Sequence, residues 1–391
     1  MHHAQLLIEL GSVVVVLGVL GRVSGFFGIS PIPLYLLGGL AFGSGGLVPL
    51  GTSTEFISTG AQIGVVLLLL TLGLEYSASE LLGGLRRGAP AGLVDMVLNA
   101  STGAVAAWIL GWGWLAAVVM AGVTWVSSSG VVAKVLTDLG WLGNRETPAV
   151  LSLLVIEDLA MAVYLPVVTV LIAGLGFASG SLHVAIALGA LALVLVVALR
   201  WGHIVSRAVF ARQDEVLLLL VLGIGLLVAG VAEKLNVSAA VGAFLVGIAL
   251  SGPVAESARS VLEPLRDLFA AVFFVFFGLQ TDPGEIPSVL LPAALLALAG
   301  AAGKVGTGWY AAKREGSNNR GRIRAGVALI PRGEFSIVIA GLAVDGGVEA
   351  DLRPTVATYV LILACAGPVA ARVADVLSHR TRAAPATGPA V

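Results

Sequence analysis

The feature that most limits what this chain can fold into is a succession of apolar runs, each about 17 to 25 residues long, the length a helix needs to cross a hydrocarbon core of about 30 Å. VLLLLVLGIGLLVAGVA at 216–232 is one such run. A backbone in hydrocarbon must satisfy its own amides and carbonyls, which leaves helices or closed barrels. The runs are continuous rather than alternating with period two, so they read as helices. With 58% hydrophobic and only 12% charged residues among 391, the chain has too little polar surface to cover a soluble globule. The expected fold class is an all-α polytopic membrane protein.

The runs place helices near 5–27, 31–49, 56–75, 88–111, 113–138, 147–174, 181–209, 213–233, 238–251, 259–279, 286–313, 321–345 and 351–378, about thirteen in all. No Lys or Arg precedes Arg22, so the first run lacks the basic flank of a signal peptide and reads as a span. Cytoplasmic loops collect Lys and Arg. With the N-terminus outside and the C-terminus inside, the inner side holds Arg22, Arg86, Arg87, Lys134, Arg145, Arg200, Arg207, Arg212, Arg259, Arg266, Lys313, Arg314, Arg320, Arg322, Arg324, Arg372, Arg380 and Arg382, against Lys234 and Arg353 outside. Eighteen against two supports both the segmentation and that orientation in a cell inner (plasma) membrane, since one miscounted span would scramble the sorting. Cys365 is the sole cysteine and no Cys/His cluster has metal spacing, so neither a disulfide, a zinc site nor a cofactor is expected, and no enzymatic activity. A net charge of -1 gives no reason to expect nucleic acid.

An internal repeat underlies the spans. LGGLAFGSG at 37–45 coincides in its small and aliphatic positions with LVGIALSGP at 245–253, an offset of 208, and LLLTLGLEY at 68–76 with FFVFFGLQT at 273–281, an offset of 205. Helices 1–6 and 8–13 thus read as two copies, about 1–174 and 213–378, with a connector at about 181–209. An offset of seven helices inverts the second copy, an arrangement that secondary transporters use to place a substrate site near the bilayer midplane.

Charges inside spans are expensive and mark ion or proton pathways. LLVIEDLAMAVYLP at 153–166 holds Glu157 and Asp158 within an aliphatic run. At 1.5 Å per residue, Glu157, Lys304 and Arg332 all lie roughly 15 Å from the inner ends of their helices. Two acids and two bases from three helices therefore meet at one level. Lys304 is expected to pair with Glu157 or Asp158, which offsets the cost of burying either charge, rather than snorkel to the interface. Arg332 and Glu334 in LIPRGEFSIVIAG compensate each other on this reading, and Pro331 and Gly333 beside them break the helix. Asp95, counted from a helix start near 88, falls near the inner end and is assigned a solvated or capping role. The fifth span carries Thr124, Ser127, Ser128, Ser129 and Gly130. Those hydroxyls either bond back to their own helix or mark an unwound crossing that offers oxygen ligands to a small hard cation. Two broken helices at corresponding places in the copies favour the crossing.

These segments resemble the monovalent cation:proton antiporters, specifically their Kef-like second branch: LLGGLAFGSGGLVPL at 36–50, LLLLTLGLEYSASEL at 67–81, SSSGVVAKVLTDLG at 127–140, the acid pair in VIEDLA, SAAVGAFLVGIALSGP at 238–253, FAAVFFVFFGLQTD at 269–282 and IPRGEFSIV at 330–338, in order across nearly the whole chain. The resemblance implies a core domain, including about 113–174 and 321–378, with two crossed broken helices that moves against a dimerisation domain. It implies a homodimer, and Asp158 as the position that carries cation or proton, with a lysine that salt-bridges the first acid. The chain departs from the glutathione-gated branch in having Glu157 rather than Gln and no fused nucleotide-binding domain before its flexible tail at 379–391. The resemblance leaves room for a separate cytosolic regulatory subunit.

The expected function is exchange of Na+ or K+ for H+ by alternating access. Asp158 is the shared site, binding the transported cation, while Thr124 and Ser127 to Ser129 supply neutral oxygens and Lys304 releases Glu157 when the cation arrives, with a second proton available from its ammonium. Its partners are the lipid bilayer, the cations and protons. Three rivals remain at this stage. An organic-anion:sodium symporter conflicts with an acid pair facing the cavity. An intramembrane aspartyl protease needs two acids facing each other across a water, whereas Glu157 and Asp158 are adjacent and diverge by roughly 100° on one helix, and no second membrane-centred Asp is evident. A channel would not need a titratable pair.

Overall fold

In the computed structural model the described residues are 2–27, 31–43, 54–74, 78–174, 206–234, 239–250, 253–279 and 281–380, with scattered positions between 185 and 204. Among them there is no strand. The expected 181–209 helix falls mostly outside the described residues, though those described within it are helical, and so does the tail from 381 onward.

The helices are α1 His2–Phe27, α2 Ile32–Phe42, α3 Thr54–Gly73, α4 Ala78–Ile109, α5 Gly113–Trp125, α6 Ser129–Asp138, α7 Thr147–Ile172, α8 Asp214–Lys234, α9 Ala239–Ala249, α10 Pro253–Leu279, α11 Ile286–Arg314, α12 Asn319–Ala328, α13 Glu334–Asp345 and α14 Leu352–Arg380. Among the described residues, seven stretches are long and apolar enough to cross a membrane: Leu7–Phe26, Arg86–Ile109, Gly113–Asp138, Thr147–Ile172, Asp214–Lys234, Ile286–Arg314 and Leu352–Leu377. Ile32–Phe42, Ile57–Thr71 and Phe335–Val344 are shorter apolar helices. The many large apolar side chains facing outward, among them Leu7, Trp108, Leu219, Leu291 and Leu298, fit the surface of a protein that sits in lipid.

Two of the expected spans are broken where the sequence predicts. The fifth divides into α5 and α6 at Val126–Ser128, and the twelfth into α12 and α13 at Leu329–Gly333. Proline at 331 removes an amide, and in the first break Ser128 takes over as the N-cap of α6, its hydroxyl accepting from the Val131 amide at 3.3 Å. The fourth span differs from expectation. α4 begins ten residues earlier than the 88 read from sequence, because the chain stays helical through Arg86, Arg87 and Pro90. Proline there reads as a start signal, since it is tolerated in a first turn, but the helix runs through it.

The packing has a paired character. α3 crosses α9 and α10 crosses α2, α4 packs on α5 and α7, and α11 packs on α12 and α14. The two crossings are built alike: a side chain added at Gly73 would collide with the Phe244 carbonyl and Gly247, and one added at Gly278 with the Leu36 carbonyl and Gly39. Gly39 and Gly247 are 208 apart and Gly73 and Gly278 are 205 apart, the two offsets of the sequence repeat. Only glycine lets backbones come this close. α4, α5, α6, α7, α11, α12, α13 and α14 share one large buried cluster, while α8 and much of α3, α9 and α10 form a second.

Candidate functional site

The two breaks cross face to face. The Ser128 amide donates to the Pro331 carbonyl at 2.9 Å, the Ser127 hydroxyl to Leu329 O at 3.2 Å, and Ser336 on α13 to Val123 O at 2.8 Å. Gly333 allows the approach, because a Cβ there would strike the Ser128 side chain. Four helix ends thus meet at one place: the carbonyl ends of α5 and α12 and the amide ends of α6 and α13. Carbonyl ends carry partial negative charge and amide ends partial positive charge.

Arg332 answers the carbonyl ends. Fully buried, it donates through Nη2 to Thr124 O at 3.1 Å, through Nη1 to Leu329 O at 3.1 Å and Ile330 O at 3.0 Å, and through Nε to the Tyr359 hydroxyl at 3.0 Å. One guanidinium fork caps both half-helices, which accounts for its burial by bonds to backbone carbonyls and the Tyr359 hydroxyl. Glu334 opens α13, and its side chain lies outside the described residues.

The acids answer the amide end of α6. Glu157 accepts from the Ser127 amide through Oε2 and from the Ser127 hydroxyl at 3.4 Å through Oε1. Asp158 accepts from the Ser129 hydroxyl at 2.8 Å through Oδ2. The two neighbours diverge as helical geometry requires: Glu157 turns toward α11, where Lys304 Nζ lies 2.9 Å from Oε1, and Asp158 turns toward the start of α6. Both are buried, and Asp158 retains 8% exposure.

Asp95 corrects the sequence reading. It is not solvated or capping but fully buried, with Lys304 Nζ at 2.8 and 2.9 Å from its two oxygens and Asn99 Nδ2 at 3.0 Å. The ten extra residues at the start of α4 put it in mid-helix rather than at the end. It is also the second membrane-centred Asp that the protease alternative requires. Lys304, however, stands between Asp95 and Glu157 where a dyad would hold a shared proton and water, so the pair cannot work as an aspartyl dyad.

The hydroxyls divide. Ser127 and Ser129 reach the acids, Ser128 caps α6, and Thr124 does not reach them: its hydroxyl donates to Asn99 O at 2.7 Å and Met120 O at 2.9 Å, tying α4 to α5. Asp95, Asn99 and Tyr359 are the site groups that residue patterns missed. A polar pair spaced four apart on α4, Asp95 and Asn99, was the available signal.

A shallow cleft lined by Leu68, Thr71, Ala133, Lys134, Thr137, Leu142 and Arg266 opens between α3, α6 and α10. Ala133 on its wall lies one helical turn from Ser129, and Leu68, also on its wall, packs against Gly130.

The family model "Sodium/hydrogen exchanger, transmembrane" matches residues 12–374. The chain belongs to the sodium/hydrogen exchanger family. Among its relatives, the K+/H+ antiporter subunit KhtU of Bacillus subtilis is 33% identical over 93% of this chain and 92% of KhtU. The ammonium/H+ antiporter subunit AmhT of Alkalihalophilus pseudofirmus is 29% identical over 86% of each chain. The sodium proton antiporter MjNhaP1 of Methanocaldococcus jannaschii shares the fold over the full length of both chains, with a TM-score of 0.71 at 15% identity. Membership of the exchanger family fixes the chain as a multi-span cation:proton antiporter with the MjNhaP1 fold, and gives the symporter and protease readings no support.

Proposed function

We propose that the chain exchanges Na+ or K+ for H+ by alternating access, with Asp158 as the shared site. The observation that carries this is the position of Asp158: a nearly buried carboxylate at the amide end of a broken helix, held by Ser129, which lies one helical turn from Ala133 on the wall of a cleft. A carboxylate can hold one proton or one monovalent cation, not both, so occupancy by one displaces the other. The Ser129 hydroxyl and nearby carbonyls add the neutral oxygens a small hard cation takes. The amide end of α6 steadies the carboxylate while it is empty.

Glu157 holds Lys304 and the Ser127 amide, keeping the break open at a fixed width. Arg332 holds the other two helix ends, so the crossing behaves as one unit. On this proposal the copies 1–174 and 213–378 form one transport unit around the connector, and the core, including 113–174 and 321–378, moves against the remaining helices across the cleft beside α3 and α10. The word "subunit" in the names of KhtU and AmhT fits a separate cytosolic regulatory partner. A homodimer in the plasma membrane, N-terminus outside and C-terminus inside, completes the proposal. The relatives' names span K+, ammonium and Na+, so the cation is the quantity to measure.

The test uses purified protein in proteoliposomes with an imposed pH gradient and Na+, K+, Rb+, Li+ or ammonium added singly. Wild type should dissipate the gradient with at least one cation, and its apparent cation affinity should fall as the pH on the cation side falls. Asp158→Asn should lose all cation-dependent proton movement while eluting as a monodisperse peak. Full exchange by that variant would overturn the assignment.

A further inference from the structure

Lys304 is gripped by two carboxylates, not one. Both oxygens of Asp95 lie within 2.9 Å of its Nζ, as does one oxygen of Glu157, so the donors of the ammonium are directed at acids. Asp95 is held in turn by Asn99, which also reaches Thr307 one turn beyond Lys304, at 3.4 Å. Among the described side chains, the charged groups facing this cluster are Asp95 from α4, Glu157 from α7 and Arg332 from the break, with the Tyr359 hydroxyl from α14 against Gly300 on Lys304's own helix.

We propose that Asp95 is a positioning residue that keeps Lys304 charged throughout the cycle, and so fixes exchange at one proton per cation with no net movement of charge. This rests on the exchange at Asp158 proposed above. If Glu157 alone held Lys304, any turn of Glu157 toward an arriving cation would leave a lone buried ammonium, which relieves its desolvation by shedding a proton. That proton would be a second one moved per cation. Asp95 removes the reason for shedding it: the ammonium keeps a two-oxygen partner, and a neutral amine would leave the buried Asp95 carboxylate with only the Asn99 amide to answer its charge. The step that remains is balanced. A cation leaves the Asp158 carboxylate as a proton joins it, and the charge crossing with the carrier is the same in both directions.

Two measurements on the whole protein in proteoliposomes test this. In wild type, a cation gradient of about tenfold should balance about one pH unit whether or not a membrane potential is imposed, since each tenfold ratio is the same free energy; exchange should give no current on a solid-supported membrane. A null point that moves with the potential overturns the proposal. Asp95→Asn should then either pass current during exchange or shift the pH of half-maximal exchange by about one unit or more, because a full charge has left a desolvated cluster; Asp95→Glu should restore silent exchange. An Asp95→Asn variant that stays silent with an unchanged pH profile makes Asp95 purely structural and overturns the proposal. If Asp95→Asn does not fold, the wild-type null point decides alone. Absence of exchange by wild type with every cation would instead sink the reading of Asp158, and this inference with it.

Discussion

Arg332 places a guanidinium where four helix ends meet and gives its donors to three carbonyl oxygens and the Tyr359 hydroxyl. The geometry depends on a planar fork. A lysine carries the same charge on a single point and cannot reach Thr124 O on one half-helix and Leu329 O on the other together. Each charge-assisted bond lost in a buried place costs about 1.5 to 3 kcal/mol. Arg332→Lys is therefore expected to lower stability by at least ~3 kcal/mol, whereas Ser336→Ala, which removes one neutral bond to Val123 O, should cost about 1 kcal/mol. Thermal melts of the two purified variants in one detergent measure the order, and equal melts would remove the capping role of Arg332. At this scale the sequence was informative wherever depth could be counted. Glu157, Lys304 and Arg332 share a level because each sits nine or ten residues from a helix end that a basic residue or a short loop marks clearly. Asp95 escaped the same count because Pro90 and the Arg86–Arg87 pair look like a boundary, and the helix passes through all three. Which serine faces an acid was not legible either, since that depends on how far each chain unwinds, and 3.6-residue spacing no longer applies inside a break.

At the scale of elements, the two glycine crossings explain why the repeat is visible as a pattern of small residues. α3 against α9 and α10 against α2 are the same contact made twice, each with glycine facing glycine and a carbonyl where a methyl group would stand. A substitution at related positions should therefore have related costs. Gly73→Ala and Gly278→Ala each press a Cβ against backbone that cannot move aside as a side chain can, so each is expected to cost about 1 to 3 kcal/mol. Gly18→Ala, where a Cβ would meet nothing within 4 Å, should be neutral or stabilise by up to about 1 kcal/mol, the difference in helix propensity. Melting curves compare the three directly, and a Gly73→Ala protein as stable as Gly18→Ala would show that the crossing is looser than described. The broken spans were legible as elements for a related reason: proline and glycine at 331 and 333, and a hydroxyl run at 127–129, sit at matching places in the two copies. The early start of α4 was not legible, because a proline in a first turn and a proline inside a long helix are alike in sequence.

For the whole molecule the remaining question is which way it faces. Hydrocarbon exposure identifies the spans but is the same for both orientations, so the argument rests on where the lysines and arginines fall. The arginines of the α11–α12 connection and the start of α12, Arg314, Arg320, Arg322 and Arg324, lie at one end of that pair, and Glu285, before α11, lies at the other. Asn319 and Glu285 are both exposed. Neither is part of the site, and they are separated by the length of α11, which at 29 residues and 1.5 Å per residue spans about 43 Å. On a Cys365→Ser background, Glu285→Cys should react with a membrane-impermeant maleimide added to intact cells. Asn319→Cys should react only in everted vesicles or after permeabilisation. Cys365 is partly buried in α14, so its replacement by serine leaves no competing thiol at small cost. The opposite labelling pattern would reverse the orientation. The cleft lined by Lys134, Thr137 and Arg266 would then open to the outside, and the transport unit would face the membrane against the charge rule that eighteen of its twenty loop cations obey in the expected sense.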